Sequence, residues 1–223
     1  MLNAIGALLP VALAAAISSV PITVMILILL SPRRNVAALP FLLGDVIGAV
    51  IVVGGATLLA QTLPPARVRH PEPVVGVVEI LIGVALVVLG VRAWRRRNRS
   101  GRGLKPPRWA AAVDTLGPLR AFALGILLGF RPKNLLLATV VGLQLHAATH
   151  GLSTTVVAAA VYVGVATSTV TVPILLTLVA PARMEPRLTT ASEMLSTDGP
   201  IISAVVLLMI GVVVIGVGLQ TLT

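Results

Sequence analysis

The stretch Leu128-Gly129-Phe130-Arg131-Pro132-Lys133-Asn134-Leu135-Leu136-Leu137-Ala138 sets two cations, a carboxamide and a proline inside an apolar run. Proline has no N–H, and its ring clashes with the carbonyl four residues back, here Leu128, so a helix through this run must kink or break. Inside a bilayer, freed backbone groups are tolerated only against protein or a water-filled cavity. Charged side chains at that depth cost at least about 2.5–3.5 kcal/mol each and therefore face the bundle interior. The run marks a transporter-like membrane protein rather than an enzyme.

The rest of the chain supports that setting. Of 223 residues, 57% are hydrophobic and 11% charged, whereas soluble domains carry about 25% charge. The formal charge of +10 is not a nucleic-acid footprint, because aromatic residues make up only 3% and the basic residues fall mostly in short gaps between apolar runs. There is no cysteine, hence no disulfide, thiolate metal site or cysteine nucleophile. No His/Glu metal spacing, nucleophile elbow or phosphate loop appears, so neither an enzyme activity nor a metal or cofactor is expected. The amino terminus lacks a basic n-region and its apolar stretch outruns an h-region, so it is expected to remain in the mature protein.

At roughly 20 apolar residues per crossing, six spans can be drawn, near 4–30, 37–61, 74–94, 117–147, 153–180 and 200–222. The expected fold class is an all-α integral membrane protein. Its parts are a first three-helix unit over 1–94, a basic cytoplasmic linker over 95–116 and a second unit over 117–223. Trp94 and Trp109 flank the basic cluster like headgroup anchors, and Trp109 to Leu116 reads as a short interfacial helix. The gaps on one side hold thirteen lysines and arginines, including Arg33, Arg34, Arg183 and Arg187; the other side holds two, Arg67 and Arg69. The positive-inside rule then places the basic loops in the cytoplasm and both termini outside it.

Two acids and two bases stand out within these spans. Asp45 stands eight residues from the cytoplasmic end of span two, about 12 Å deep at 1.5 Å per residue; Glu79 is near the outer end of span three and shallow enough for hydration. Arg131 and Lys133 are near mid-bilayer in span four. Internal pairing of Asp45 or Glu79 with Lys133 or Arg131 would leave no net charge stranded, and depth favours Asp45 as the partner of the span-four cations. The functional alternative is that a helix restarting after Pro132 gathers its N–H groups with Lys133 and Asn134 into an anion site, while a carboxylate nearby loads and releases a proton.

Span one carries a matching break, Ser18-Ser19-Val20-Pro21-Ile22-Thr23, whose Ser18, Ser19 and Thr23 either line a polar path or simply bond their own helix. Thr167-Ser168-Thr169 with Thr171 and Pro173 predicts a further irregular, hydrated stretch in span five. Leu81-Ile82-Gly83 followed by Gly90, and Leu208-Met209-Ile210-Gly211 followed by Gly216, make spans three and six counterparts. An odd number of spans per copy forces the second copy upside down, so the pattern predicts two inverted three-helix repeats with broken helices one and four. Gly44-Asp45-Val46-Ile47-Gly48 and Gly125-Ile126-Leu127-Leu128-Gly129 have the spacing for close helix approach, read as intramolecular packing, with a homodimer as the lesser alternative.

Taken together, Pro21 to Val24, Leu30-Ser31-Pro32-Arg33, Phe41 to Gly44 with Gly48, Glu79 with Gly83, Gly90 and Trp94, and the run from Leu128 to Ala138 resemble the actinobacterial GAP/Sap proteins. These are the peptidoglycolipid- and sulfolipid-addressing proteins of the LysE exporter superfamily. The Pro-Lys-Asn element is the most specific part of the likeness, and Arg131 departs from it where the family pattern has Asn. The resemblance implies a cytoplasmic-membrane location, six helices in inverted repeats and a role in exporting cell-envelope glycolipids. The expected substrate is an anionic amphiphile, a glycolipid or polyprenyl-phosphate-type lipid, bound by Arg131, Pro132, Lys133, Asn134, Ser19, Pro21 and Thr23, with Asp45 and Glu79 as coupling or ion-pair residues. The expected partners are membrane lipids. Two other functions stay open: export of a small hydrophilic metabolite such as an amino acid, and a non-transporting scaffold for envelope-lipid synthesis.

Overall fold

A computed structural model of the chain describes residues 2–62, 73–97, 116–147 and 151–222, and the regular elements among them are all α-helices. In chain order these are α1 (Leu2–Ala16), α2 (Ser19–Leu30), α3 (Arg34–Ala60), α4 (Pro73–Arg97), α5 (Pro118–Gly129), α6 (Pro132–Ala147), α7 (Leu152–Val179) and α8 (Pro181–Leu222). Helices α3, α4 and α7 each contain a stretch long and apolar enough to cross a membrane. The bent pairs α1–α2 (46°) and α5–α6 (59°) raise that number to five if each pair is one span. The apolar stretch Ala204–Gln220 within α8 is shorter. Leucines with large exposure, such as Leu59 at 71% and Leu119 at 78%, give the bundle an apolar exterior suited to lipid. The chain is a multi-pass helical membrane protein.

The two bends arise where proline demands them. Pro21 cannot donate to Ile17, four residues back, and the chain leaves helical geometry at Ile17–Ser18, with Ser18 extended at φ −127°, ψ 109°. Pro132 likewise cannot donate to Leu128; α5 stops at Gly129, and Pro132 itself opens α6, where its missing N–H is no loss.

Two expected irregularities are replaced by helix. Helix α7 runs unbroken through Pro173, and the Thr167, Ser168 and Thr177 hydroxyls bond carbonyls of their own helix, at Val163, Val165 and Pro173. The polar segment expected as a gap between spans five and six instead forms the start of α8. Its Leu188 is buried in the apolar cluster that α2 contributes to, with Met184 packed against it, so this amphipathic segment has a surface to dock on. Apart from Leu116, the expected interfacial helix from Trp109 lies outside the described residues, as do Arg67 and Arg69.

The core comes in two parts. One cluster joins α1, the second half of α3, α6 and the first half of α7 through Val11, Val53, Val141 and Tyr162, and extends to α4 and α8 at Leu86 and Leu207. The other joins α2, the first half of α3, α5 and the second half of α7 through Ile28, Phe41, Ala121 and Ile174. Both helix breaks fall at the level between the two clusters, where the polar residues collect.

Two glycine crossings set the helix spacings. The paired motifs expected to be packing elements pack on each other: a Cβ on Gly44 would strike the Phe122 carbonyl, and one on Gly125 would strike that of Phe41. A Cβ on Gly48 would lie 2.9 Å from the Ile126 oxygen, so α3 and α5 touch backbone to backbone. Helices α4 and α8 run antiparallel with small residues facing at seven-residue steps, Gly76 with Gly218, Gly83 with Gly211 and Gly90 with Ala204. The Gly83–Gly211 contact is reciprocal, each position 2.8 Å from the other's carbonyl oxygen. Gly216, read from the sequence as the counterpart of Gly90, has nothing near its Cβ position.

Candidate functional site

A cavity lies between the two breaks, lined from α1–α2 by Ser18 and Pro21, from α3 by Asp45, from α5–α6 by Gly129 and Asn134, and from α7 by Tyr162, Thr167 and Thr169. Its free volume of about 40 Å³ holds on the order of three water molecules.

Each break exposes the carbonyl that its proline cannot serve, and a side chain answers each one. Lys133 Nζ donates to the Ile17 carbonyl at 2.8 Å, reaching from the start of α6 to the end of α1. Thr169 Oγ1 in α7 donates to the adjacent Ala16 carbonyl, also at 2.8 Å. Asn134 Nδ2 donates to the Leu128 carbonyl at 3.3 Å, closing the break within its own span. An ammonium against the C-terminal end of α1 is further favoured by the helix dipole. The Pro-Lys-Asn element therefore makes one break, repairs it, and repairs its counterpart in the first half of the chain.

The expected anion site is altered by these bonds. Lys133 and Asn134 do converge near the start of α6, but their side-chain N–H groups are directed at carbonyls. Arg131 faces Asp45 electrostatically and also stands close enough to Lys133 to repel it. Its Nη1 is buried without a hydrogen-bond acceptor among the described residues. Asp45 is 8% exposed, and the cation it faces is Arg131 rather than Lys133. Glu79 does not line the cavity and is 5% exposed, engaged elsewhere in the protein; the expectation of a hydrated Glu79 is corrected, because α4 carries it into the bundle.

Of the span-one residues, Pro21 lines the cavity. Ser19 does not, and the Thr23 hydroxyl bonds the Ser19 carbonyl of its own helix at 2.7 Å. Ser18 lines the cavity, as a polar path at the first break requires, whereas Thr167, Thr169 and Tyr162 line it without having been expected as binding residues. The signal for the threonines was their clustering in span five; for Tyr162 it was its standing as the only tyrosine of the chain, since a phenol in an apolar span needs a polar neighbour. Among the described residues no three His, Asp or Glu side chains cluster to hold a metal ion.

No curated protein and no solved structure matches the chain. A family model does: that of Sap, the sulfolipid-1-addressing protein, aligns with residues 8–220, a span that takes in both breaks, the paired glycine motifs and the cavity. The chain belongs to the Sap, sulfolipid-1-addressing protein family.

Proposed function

We propose that the protein exports or flips an anionic amphiphile, a cell-envelope glycolipid or a polyprenyl-phosphate-type lipid, across the cytoplasmic membrane and draws on an ion gradient to do so. Membership of a family described by the addressing of a sulfolipid supports a role in lipid handling. The observation that carries the reading is the pair of proline breaks meeting at one level of the bundle, bridged by Lys133 and bordering a cavity that holds Asp45 and several hydroxyls. Interrupted helices at corresponding positions are how transporters place a site at mid-bilayer.

The proposed architecture has six crossings in two inverted repeats, α1–α2, α3, α4 and α5–α6, α7, α8, with both termini outside the cytoplasm, as in the LysE exporters. The packing of α4 on α8 supports it. Exchanging the two helices about the Gly83–Gly211 contact turns the Gly76–Gly218 contact into that of Ala204 with Gly90, which is the contact observed.

As described, the cavity is too small for a lipid head group, so passage requires the breaks to separate. A sulfate or phosphate is a stronger acceptor for Lys133 than the Ile17 carbonyl. Lys133 changing partner would release the end of α1, linking head-group capture to opening. Reconstitution in liposomes with an ion gradient, following a fluorescent anionic lipid between leaflets, tests the reading. Gradient-dependent movement lost in Lys133→Ala is expected; movement equal to protein-free liposomes refutes it. Movement of a water-soluble amino acid instead would establish the metabolite exporter.

A further inference from the structure

Four side chains at or beside the cavity each commit a donor to a backbone carbonyl. Lys133 Nζ serves Ile17, Asn134 Nδ2 serves Leu128, the Thr169 hydroxyl serves Ala16 and the Thr167 hydroxyl serves Val163. Facing the free volume, besides the Asn134 amide and apolar side chains, are the Asp45 carboxylate and the hydroxyl oxygens of Thr167, Thr169, Ser18 and Tyr162. Among the described residues, no side chain or backbone group donates a hydrogen bond to the Asp45 carboxylate. A carboxylate that no donor serves is costly beside apolar walls, and a carboxylate with hydroxyl oxygens near it offers ligands to a small cation.

We propose that in this conformation the cavity holds a small monovalent cation on Asp45, with Tyr162 and Thr167 as neutral oxygen neighbours, and that it is not a resting site for the anionic head group. The shared chemistry is that of a proton or a sodium ion, each small enough to fit with one or two waters in the available space. The charged and titratable groups brought toward Asp45 by the elements packed on α3 are Arg131 and Lys133 from the α5–α6 break and Tyr162 from α7; α2 contributes none. Arg131 attracts Asp45 without a direct ion pair among the described residues, and Lys133 is turned away to Ile17. The carboxylate therefore keeps room for a ligand, and the nearby Arg131 charge opposes its filling, which favours release when the breaks separate.

The cation supplies the gradient coupling of the proposed translocator, but its binding is tested without any lipid substrate, so failure here leaves the lipid assay standing. The full chain in nanodiscs is perfused on an infrared cell, first exchanging sodium for N-methylglucamine at fixed pH, then changing pH at fixed ions. A carboxyl band that responds to one of these changes and disappears in Asp45→Asn is expected. Response to sodium identifies sodium as the occupant, and response to pH alone identifies the proton. In Tyr162→Phe, which removes one oxygen neighbour of the bound cation, the midpoint of the response should move toward weaker binding by about tenfold, the order of one polar interaction with a charged group. Absence of any Asp45-dependent band under both exchanges, in wild type and Tyr162→Phe alike, overturns the proposal.

Discussion

Replacing Lys133 by Met separates its two possible employments, as a clamp on the backbone and as a ligand for substrate. Methionine keeps the length and apolar stem but cannot donate, so the Ile17 carbonyl loses the 2.8 Å bond that replaces the N–H withheld by Pro21. A hydrogen bond to a charged group contributes about 1.5–3 kcal/mol; removing the repulsion between Lys133 and Arg131 returns part of it. The net loss should be about 2 kcal/mol, or about 4–8 °C in melting temperature for a chain of this size. The second arm is Pro21→Ala, which restores a backbone N–H to residue 21 and gives Ile17 an ordinary helical donor. In that background the cost of Lys133→Met should shrink by at least about 1 kcal/mol, a coupling within the range of contacting residues. Thermal unfolding of the four proteins in one detergent measures the cycle. Equal losses in both backgrounds refute the clamp, and an unchanged melting temperature with lipid movement abolished would make Lys133 a ligand only.

The glycine crossings give a contrast within one helix. Gly44→Ala should cost about 1–3 kcal/mol by overpacking against the Phe122 carbonyl, whereas Gly54→Ala, with nothing near its Cβ, should gain about 0.5–1 kcal/mol in the same melting assay. Because their contact is reciprocal, Gly83→Val and Gly211→Val should lower the melting temperature by similar amounts. Arg131→Asn removes both a buried donor with no acceptor and the positive charge facing Asp45. It should leave the fold intact and strengthen cation binding at Asp45 by at least about threefold, read from the infrared midpoint. The Arg34–Glu185 pair, 3.7 Å apart with Glu185 64% exposed, should matter little: Glu185→Gln is expected to change stability by less than about 0.5 kcal/mol.

Features governed by local rules could be read from the sequence. The breaks at Pro21 and Pro132 follow from a missing N–H and a steric clash with one identifiable carbonyl. The Gly44/Gly48 and Gly125/Gly129 motifs follow from the room a helix needs to meet another backbone. The selection of Asp45 over Glu79 as the acid facing the span-four cations came from a count of residues from the membrane edge. Partner choice across the bundle was not readable. Lys133 bonds a residue 116 positions away, and no spacing rule distinguishes that carbonyl from a carboxylate or a substrate. The helix from Pro181 escaped notice because its charged residues look like loop until Leu188 is seen to dock on the cluster that includes α2. Tyr162 was passed over because a lone aromatic in an apolar span carries no pattern.

The bonds at the two breaks also explain why proline, lysine and asparagine occur together. Pro132 alone would strand the Leu128 carbonyl in an apolar interior; Asn134, two residues later, is placed on the first turn of α6, from which its amide reaches back to that oxygen. Lys133 lies between them on a different face of the same turn, and its side chain reaches Ile17 in the other half of the chain. One turn of helix thus holds its own break closed locally and the opposite break closed at a distance. The two closures differ in kind. The Asn134 bond joins α6 to the preceding α5 and can survive a rigid movement of that pair, while the Lys133 bond joins two separate spans and must lengthen if they part. Any opening of the cavity between α1–α2 and α5–α6 therefore works against Lys133 first, which makes this side chain the point where an anionic ligand would have most leverage on the conformation.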